Sequence, residues 1–526
     1  MLFYPSAELS LSRGIGCSVF SFILLFVAMP GLVGGWPLLF IALIPVLYVC
    51  LYSAPRNSFL AGMIGGFVYH LATMYWIVIV LGQYGGLPVW ISVPALMLLA
   101  LYMGLYPALF CLLLSRLTGR FWHRERSIAP LVWAAPVLWV GLDYLRSVLF
   151  SGFPWLDIGY GLYLHPQLIQ AADLGGHHLI TFSLVLANGF ILAIIDRQRK
   201  AVRWNVSMER RLLLYACAFL VFVFGYSYLR YEVVGAQATR ALQAKIGLVQ
   251  GNIDQSLKWS AEAKKRTVEK YISLSEELLK NKDTELIVWP ETAVPFYLQN
   301  DPLADHVGNF VQRNNVWLLT GTPMYNITGP RQAQYFNAAV LINPSAHVAG
   351  TYSKRHLVPF GEYVPLKQVL PFLQPLVVNA GDFTAGDSAA PLSMGSVKPG
   401  VLICYESIFP DIARQSVAEG ANILVNITND AWYGRSSAPY QSLAMSVFRS
   451  VETKRSLVRA ANTGVSGFID PVGNVWEETA IFTDSAISMY VPVWEKKTVF
   501  NRSGWAFGLA CFCGMVSVLI FYRNRE

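Results

Sequence analysis

Apolar residues are spread unevenly along this chain. Before about residue 230 and after residue 503 they run almost unbroken, in stretches near the ~20 residues that a helix needs to cross a bilayer. The pattern predicts transmembrane helices at 14–30, 36–53, 57–81, 88–116, 128–149, 174–196, 211–229 and 504–522, about eight in all. Between about 240 and 495 the apolar residues instead form short β-like runs: 245–250, 285–289, 316–320, 338–342, 401–404 and 422–427. Helical stretches separate them, notably 260–280 and 440–454. Strands alternating with helices predict an α/β or layered α+β domain, and about 250 residues suits one compact unit. The expected organisation is a membrane bundle over 1–232, a folded domain over 240–495 and a last transmembrane helix over 500–526.

Composition and charge sharpen this picture. Hydrophobic residues make up 54% of the 526-residue chain and charged residues only 14%, too apolar for an ordinary soluble protein. The first apolar run has a positive flank in Arg13, but no small-residue cleavage site follows and further spans come at once, so it reads as a retained helix. The net charge of +8 is no nucleic-acid signature, because much of it lies in short loops beside the spans. Arg116, Arg120, Arg124 and Arg126 fill one loop; Arg197, Arg199, Lys200, Arg203, Arg210 and Arg211 fill another, and Arg523 and Arg525 end the chain. The alternate loops 82–87 and 151–173 have no Lys or Arg. Positive residues stay cytoplasmic, so both termini are expected inside and the 240–495 domain outside. Asp143 and Arg146, at the outer end of the fifth span, suit an interfacial ion pair or a headgroup contact. No repeat, no low-complexity segment and no Gly-rich phosphate loop occurs, and the eight His show no metal-ligand spacing. Neither a metal nor another cofactor is expected.

The candidate chemistry sits at strand ends. Of seven cysteines, only Cys404 lies outside an apolar membrane-like run. It ends the run Val401-Leu402-Ile403 and precedes a helix beginning near Phe409, a turn where backbone amides favour a thiolate. It has no disulfide partner within its own domain. Glu291 follows a strand that Pro290 stops, and Lys354 ends another, with Glu362 eight residues later in a Pro/Gly-rich loop. Singly these read as a small buried residue, a loop carboxylate and a surface cation. Together they form a chemical set: a carboxylate to take a thiol proton, a lysine to hold an oxyanion and lower the thiol pKa, and a nucleophile.

Trp289-Pro-Glu291, Tyr352-Ser-Lys-Arg-His-Leu357 and Leu402-Ile-Cys-Tyr-Glu-Ser-Ile-Phe-Pro410 resemble the three catalytic motifs of the nitrilase (carbon-nitrogen hydrolase) superfamily, in that family's chain order. The extension His356-Leu-Val-Pro-Phe-Gly-Glu-Tyr-Val-Pro365 and the flanking spans resemble its membrane branch, the apolipoprotein N-acyltransferases. Gly247–Asn252, Leu257-Lys-Trp259, Asn429–Gly434 and Arg459–Gly467 look like further signatures of that branch. The resemblance implies a nitrilase-like αββα sandwich beside a helical membrane bundle. It implies a triad of Glu291 as base, Lys354 for the oxyanion and Cys404 as nucleophile, with Glu362, Tyr405 and Glu406 in support. It also implies ping-pong acyl transfer in a Gram-negative inner membrane, from a phospholipid such as phosphatidylethanolamine to a diacylated apolipoprotein. Trp259, Trp432 and Tyr433 are candidates to line the acyl chains, with packing in the domain core as the other reading. Two other functions stay open: a membrane-tethered amidohydrolase that lets water resolve the thioester, and a catalytically silent envelope scaffold.

Overall fold

The computed structural model describes residues 9–31, 34–125, 128–200, 206–254, 261–280, 283–363 and 383–523. The chain divides into two compact units, one of Met1–Val78, Val89–Tyr231 and Arg502–Glu526, the other of Ile79–Pro88 and Glu232–Asn501.

The first unit is helical: α1 (Leu11–Ala28), α2 (Ile44–Tyr52), α3 (Pro55–Thr73), and, after the short α4 (Trp76–Ile79), α5 (Val89–Glu125), α6 (Ala129–Val148), α7 (Ala172–Lys200) and α8 (Val206–Ala238). Among the described residues, six helices are long and apolar enough to cross a membrane: Leu11–Ala28, Val89–Thr118, Pro130–Val148, Ala172–Asp196, Glu209–Ala238 and Gly504–Phe521. Pro55–Thr73 with Trp76–Tyr84, bent by 50°, makes a seventh if the pair is one span. The run expected to cross at 36–53 does not form one long helix. Pro37 opens a 3₁₀ turn (Trp36–Phe40) and α2 restarts near Pro45, because a ring nitrogen cannot continue the hydrogen-bond ladder. Nine residues of α2 rise about 14 Å, against a hydrocarbon core of about 30 Å. Within α7, Gly176 takes φ 71°, a left-handed kink that glycine tolerates. Just beyond it His177 Nε2 lies 2.9 Å from Asp157, which also pairs with Arg146. Arg146 reaches Asp143 at 3.3 Å, so this expected pair forms, as part of a larger buried cluster.

Among the described residues the second unit has eleven strands: β1 (Gln243–Gln250), β2 (Leu286–Val288), β3 (Trp317–Gly329), β4 (Gln332–Ile342), β5 (Val348–Ser353), β6 (Pro399–Ile403), β7 (Ile423–Thr428), β8 (Leu457–Ala461), β9 (Gly467–Ile469), β10 (Val475–Trp476) and β11 (Ser485–Pro492). They form a six-stranded sheet ordered β11-β1-β2-β3-β4-β5 and a five-stranded sheet ordered β10-β9-β8-β7-β6. Each contains a parallel run, β1-β2-β3 in the larger and β6-β7-β8 in the smaller. Ile246, Leu248, Val288, Leu319 and Leu341 of one sheet share a core with Val401, Ile403, Val425, Ile427 and Val458 of the other, so the sheets pack face to face. The opposite face of the larger sheet (Val249, Ile287, Leu318, Val340) is covered by Val268 and Tyr271 of α9 (Ala261–Leu279) and by Val307 and Phe310 of α10 (Ala304–Asn314). Next, α11 (Pro410–Ala418) packs on β6 and α12 (Ala438–Thr453) on β8. Burial on both faces explains why the central strands read as unbroken apolar runs. The unit is an αββα sandwich. Beyond it come α13 (Val499–Arg502) and α14 (Phe507–Arg523).

Candidate active site

Glu291 is fixed by its backbone before its side chain makes a contact. Trp289, buried, donates from Nε1 to Ser275 at 2.9 Å and stacks on Phe310, which anchors the end of β2. The next residues lie against β3, where Gly321 N–H donates to Pro290 O and Val294 N–H to Gly321 O. A Cβ on Gly321 would stand 2.6 Å from Glu291 Cα, so only glycine lets the two segments close. The Glu291 carboxylate is buried. It accepts from Asn337 Nδ2 at 2.8 Å and from the Asn429 backbone N–H at 2.9 Å.

Lys354 follows β5 and is almost wholly buried. Its N–H donates to Asn337 O, and its Nζ reaches Glu362 at 2.9 Å and Glu291 at 3.8 Å. Burial alone pulls an ammonium pKa down, but the Glu362 and Glu291 carboxylates override it and hold Lys354 above its ordinary value. Asn337, on β4, donates from Nδ2 to both Glu291 and Glu362, each at 2.8 Å, and so holds two carboxylates and the ammonium in one cluster. Glu362 also caps its own loop by accepting from the Val358 N–H at 2.8 Å.

Cys404 is half-buried and takes φ 53°, a left-handed conformation rare outside glycine, between β6 and a 3₁₀ turn (Cys404–Ile408). The turn therefore projects its side chain from a strained elbow. Burial pushes the thiol up to about 12; Glu291 and Asp430 push the same way, against Lys354. A strand-to-helix turn and a lysine are outweighed here by desolvation and two carboxylates, so the sulfur is a protonated thiol that needs a base.

Both segments of the chain that match family models can now be placed. Residues 245–488, the αββα unit with Glu291, Lys354 and Cys404, match the carbon-nitrogen hydrolase model, and residues 21–190 match the model of the apolipoprotein N-acyltransferase N-terminal domain. The apolipoprotein N-acyltransferase of Geobacter metallireducens is 38% identical over 96% of this chain and 95% of its own. The chain belongs to the apolipoprotein N-acyltransferase family. The Methylococcus capsulatus acyltransferase is 32% identical over 91% of this chain and 90% of its own. Among solved structures, Saccharomyces cerevisiae Nit3, a nitrilase superfamily member, is similar at TM-score 0.37 and 18% identity, over 48% of this chain and 90% of that one.

The other candidate residues of this acyltransferase fall into distinct places. Glu406, fully buried, accepts from the Ile403, Arg355 and His356 N–H groups at 2.7, 2.6 and 3.1 Å, and from Tyr352. It clamps the cysteine elbow to the lysine loop; burial raises its pKa against those donors. Tyr405 packs edge-on to Phe409, ring centres 5.1 Å apart. Burial, and after it Cys404 and Asp430, raise the Tyr433 pKa. Trp432 meets the edge of Tyr84 at 5.7 Å, so residues 79–88 supply an aromatic neighbour that the sequence reading lacked. Trp259 lies outside the described residues.

Asn337 and the pair Asp430–Arg459 also escaped the sequence reading. Asn337 gave no signal beyond being polar at the start of an apolar strand, whereas the segments 429–434 and 459–467 stood out without an assigned role. Elsewhere, Asp157, His177 and His178 hold one donor atom each within 4.8 Å of one another, a set that a cation could occupy. The consecutive histidines gave no spaced pattern. Arg146 already neutralises Asp157, so this carboxylate is paired without an ion.

Proposed function

We propose that the enzyme moves a fatty acyl chain from the sn-1 ester of a phospholipid, with phosphatidylethanolamine as donor, to the α-amine of the diacylglyceryl-cysteine that begins an apolipoprotein. The observation that carries this reading is the convergence of Glu291 and Lys354 on the Cys404 elbow, in a chain of this family. Glu291 takes the Cys404 proton, and the thiolate attacks the ester carbon. The carbonyl oxygen of the ester becomes an oxyanion that Lys354 Nζ stabilises. The C–O bond breaks, the lysophospholipid leaves with the proton from Glu291, and a thioester remains. The acceptor amine then attacks the thioester carbon and gives its proton to Glu291. The C–S bond breaks, and the amide leaves as Cys404 recovers its proton.

Contacts support the roles of four further residues: Glu362 and Asn337 fix Lys354 and Glu291, and Glu406 and Tyr405 shape the elbow. The proposal keeps Trp432, Tyr433 and Trp259 as the lining of the acyl chains. The membrane bundle 1–232 and the helix within 500–526 lie in a Gram-negative inner membrane. Both termini are cytoplasmic and the 240–495 domain is periplasmic, which the Lys/Arg-rich loops support.

The test is a two-stage incubation followed by intact mass spectrometry. With phospholipid alone, the enzyme stops at a thioester on Cys404 and one equivalent of lysophospholipid. A diacylated lipopeptide with a free α-amine discharges it, and the same peptide acetylated at that amine does not. Steady release of free fatty acid without acceptor assigns a hydrolase instead.

A further inference from the structure

The register of the smaller sheet brings a second side chain to the nucleophile. Ile403 of β6 lies opposite Ile427 of the parallel strand β7, so the residues that follow, Cys404 and Thr428, leave the sheet side by side. The Thr428 side chain acts on the Cys404 thiol, lowering its pKa against the rise that burial causes. Thr428 Oγ1 also donates to Asp430 Oδ1 at 2.8 Å, and Asp430 Oδ2 accepts from Arg459 Nη2 at 2.9 Å. Arg459 is fully buried on β8; its Nη1 donates to Asn426 Oδ1 and its Nε to Val465 O. Asn426 Nδ2 in turn donates to Leu402 O at 2.8 Å. The space is fully used: a Cβ on Gly464 would lie 2.0 Å from Asp430 Oδ2.

We propose that the Thr428 hydroxyl is a further catalytic group, which accepts the Cys404 S–H at rest and donates to the sulfur once Glu291 has taken the proton. A hydroxyl has one proton and two lone pairs. While that proton goes to Asp430, only a lone pair faces the thiol. After proton transfer to Glu291 the sulfur is an anion, and the Thr428 O–H turns to it; Asp430 loses that bond but keeps Arg459. No bond other than S–H breaks. Asp430 and Arg459 are positioning residues in this scheme. The inference rests on Cys404 being the nucleophile of the proposed reaction. It adds a donor on the sulfur, distinct from Lys354 on the acyl oxygen.

The test uses the full-length enzyme in detergent and follows alkylation of Cys404 by iodoacetamide, resolved by peptide mass, from pH 7 to 10. The groups facing this thiol are Glu291, Lys354, Asp430 and Tyr433, and none is changed in the first comparison. Thr428→Val slows alkylation about 10- to 100-fold at each pH, the range for a lost hydrogen bond to a charged group. Thr428→Ser restores it to within about threefold, because the hydroxyl alone is the requirement. Asp430→Asn provides a comparison of opposite sign. Its amide can donate to Thr428 Oγ1 and free the threonine proton for the sulfur, and it removes a negative charge near the thiol, so alkylation speeds up. Wild-type rates in folded Thr428→Val, a Thr428→Ser loss as deep as the valine loss, or slower alkylation in folded Asp430→Asn each overturn the proposal. Alkylation needs neither lipid nor acceptor. A missing thioester in the two-stage incubation therefore counts against the acyl-transfer reading alone.

Discussion

Replacing Glu406 by glutamine tests whether the site depends on a clamp remote from the reacting atoms. One carboxylate oxygen accepts from the Arg355 and His356 N–H groups and the other from Ile403 N–H, while Tyr352 bridges both. Glutamine keeps the size but has one acceptor oxygen and one NH₂. Turned toward Arg355 and His356, its oxygen satisfies two donors and leaves Ile403 N–H facing an NH₂ in a fully buried place. One unsatisfied buried N–H costs about 1–3 kcal/mol, and the charge-assisted bonds weaken as well. Glutamine also removes the cost of burying a charge, the cost that raises the Glu406 pKa, so the net figure is about 2 kcal/mol. For a unit of this size that lowers Tm by ~4–8 °C.

The loss of rate exceeds the loss of stability. Ile403 precedes Cys404 and Arg355 follows Lys354, so releasing the clamp lets nucleophile and ammonium drift apart, and a shift of about 1 Å can cost 10²-fold. Single-turnover thioester formation on a phospholipid, with Tm by circular dichroism, measures both effects. A wild-type rate in Glu406→Gln refutes the clamp. A lost rate with an unchanged Tm assigns the carboxylate to the chemistry instead.

Glu291→Gln separates proton transfer from thiol acidity. Glu291 raises the Cys404 pKa, so its removal makes the thiol more acidic and quickens iodoacetamide alkylation at pH 8, while thioester formation falls by about 10² or more for want of a base. A parallel change in both rates contradicts this assignment. His356, half-buried against Phe409 at 3.9 Å, is lowered to about 4 by burial and by Lys354. Its folded-state pKa lies below the unfolded value of about 6.5, so it contributes stability above pH 6.5 that is lost as the pH falls toward 4. In His356→Phe the melting temperature declines less between pH 6.5 and 4 than in the wild type, and an equal or steeper decline rules the linkage out.

How much of this was readable in the sequence depends on whether the signal is local. Glu291, Lys354 and Cys404 stand at the ends of apolar runs, and the nitrilase-like motifs around them are contiguous. Asn337 has no such context, since its work is to join β4 to two loops that are distant in sequence. Strand β8 is not among the expected runs because Arg455 and Arg459 interrupt the apolar pattern there. Each is buried among acceptors: Arg455 donates to the Ala421, Glu495 and Lys496 carbonyls and Arg459 to the Val465 carbonyl. The run expected to span at 36–53 is broken rather than one continuous helix for a local reason that composition hides, its two prolines. How far the thiol is held protonated is a property of three-dimensional distance: lysine and helix start are visible in the sequence, and desolvation is not.

That charge balance links the two halves of the proposed reaction. Glu291, Glu362 and Lys354 together carry one excess negative charge beside a neutral thiol. Such a site spends little time with a free thiolate, so an idle enzyme is protected from adventitious electrophiles and oxidants, which attack the thiolate form. Acylation does not add a charge to the buried cluster: the sulfur becomes a neutral thioester and the proton leaves with the lysophospholipid. The acceptor α-amine, with an ordinary pKa near 7.7–8.0, arrives largely as an ammonium. A site of net negative charge attracts that cation, its extra proton passes to solvent before the nitrogen attacks, and Glu291, again unprotonated, takes the proton lost on attack. Water receives no comparable attraction. The excess carboxylate that keeps the thiol protonated thus also favours an amine over water in the second step, with no change in the arrangement of the residues.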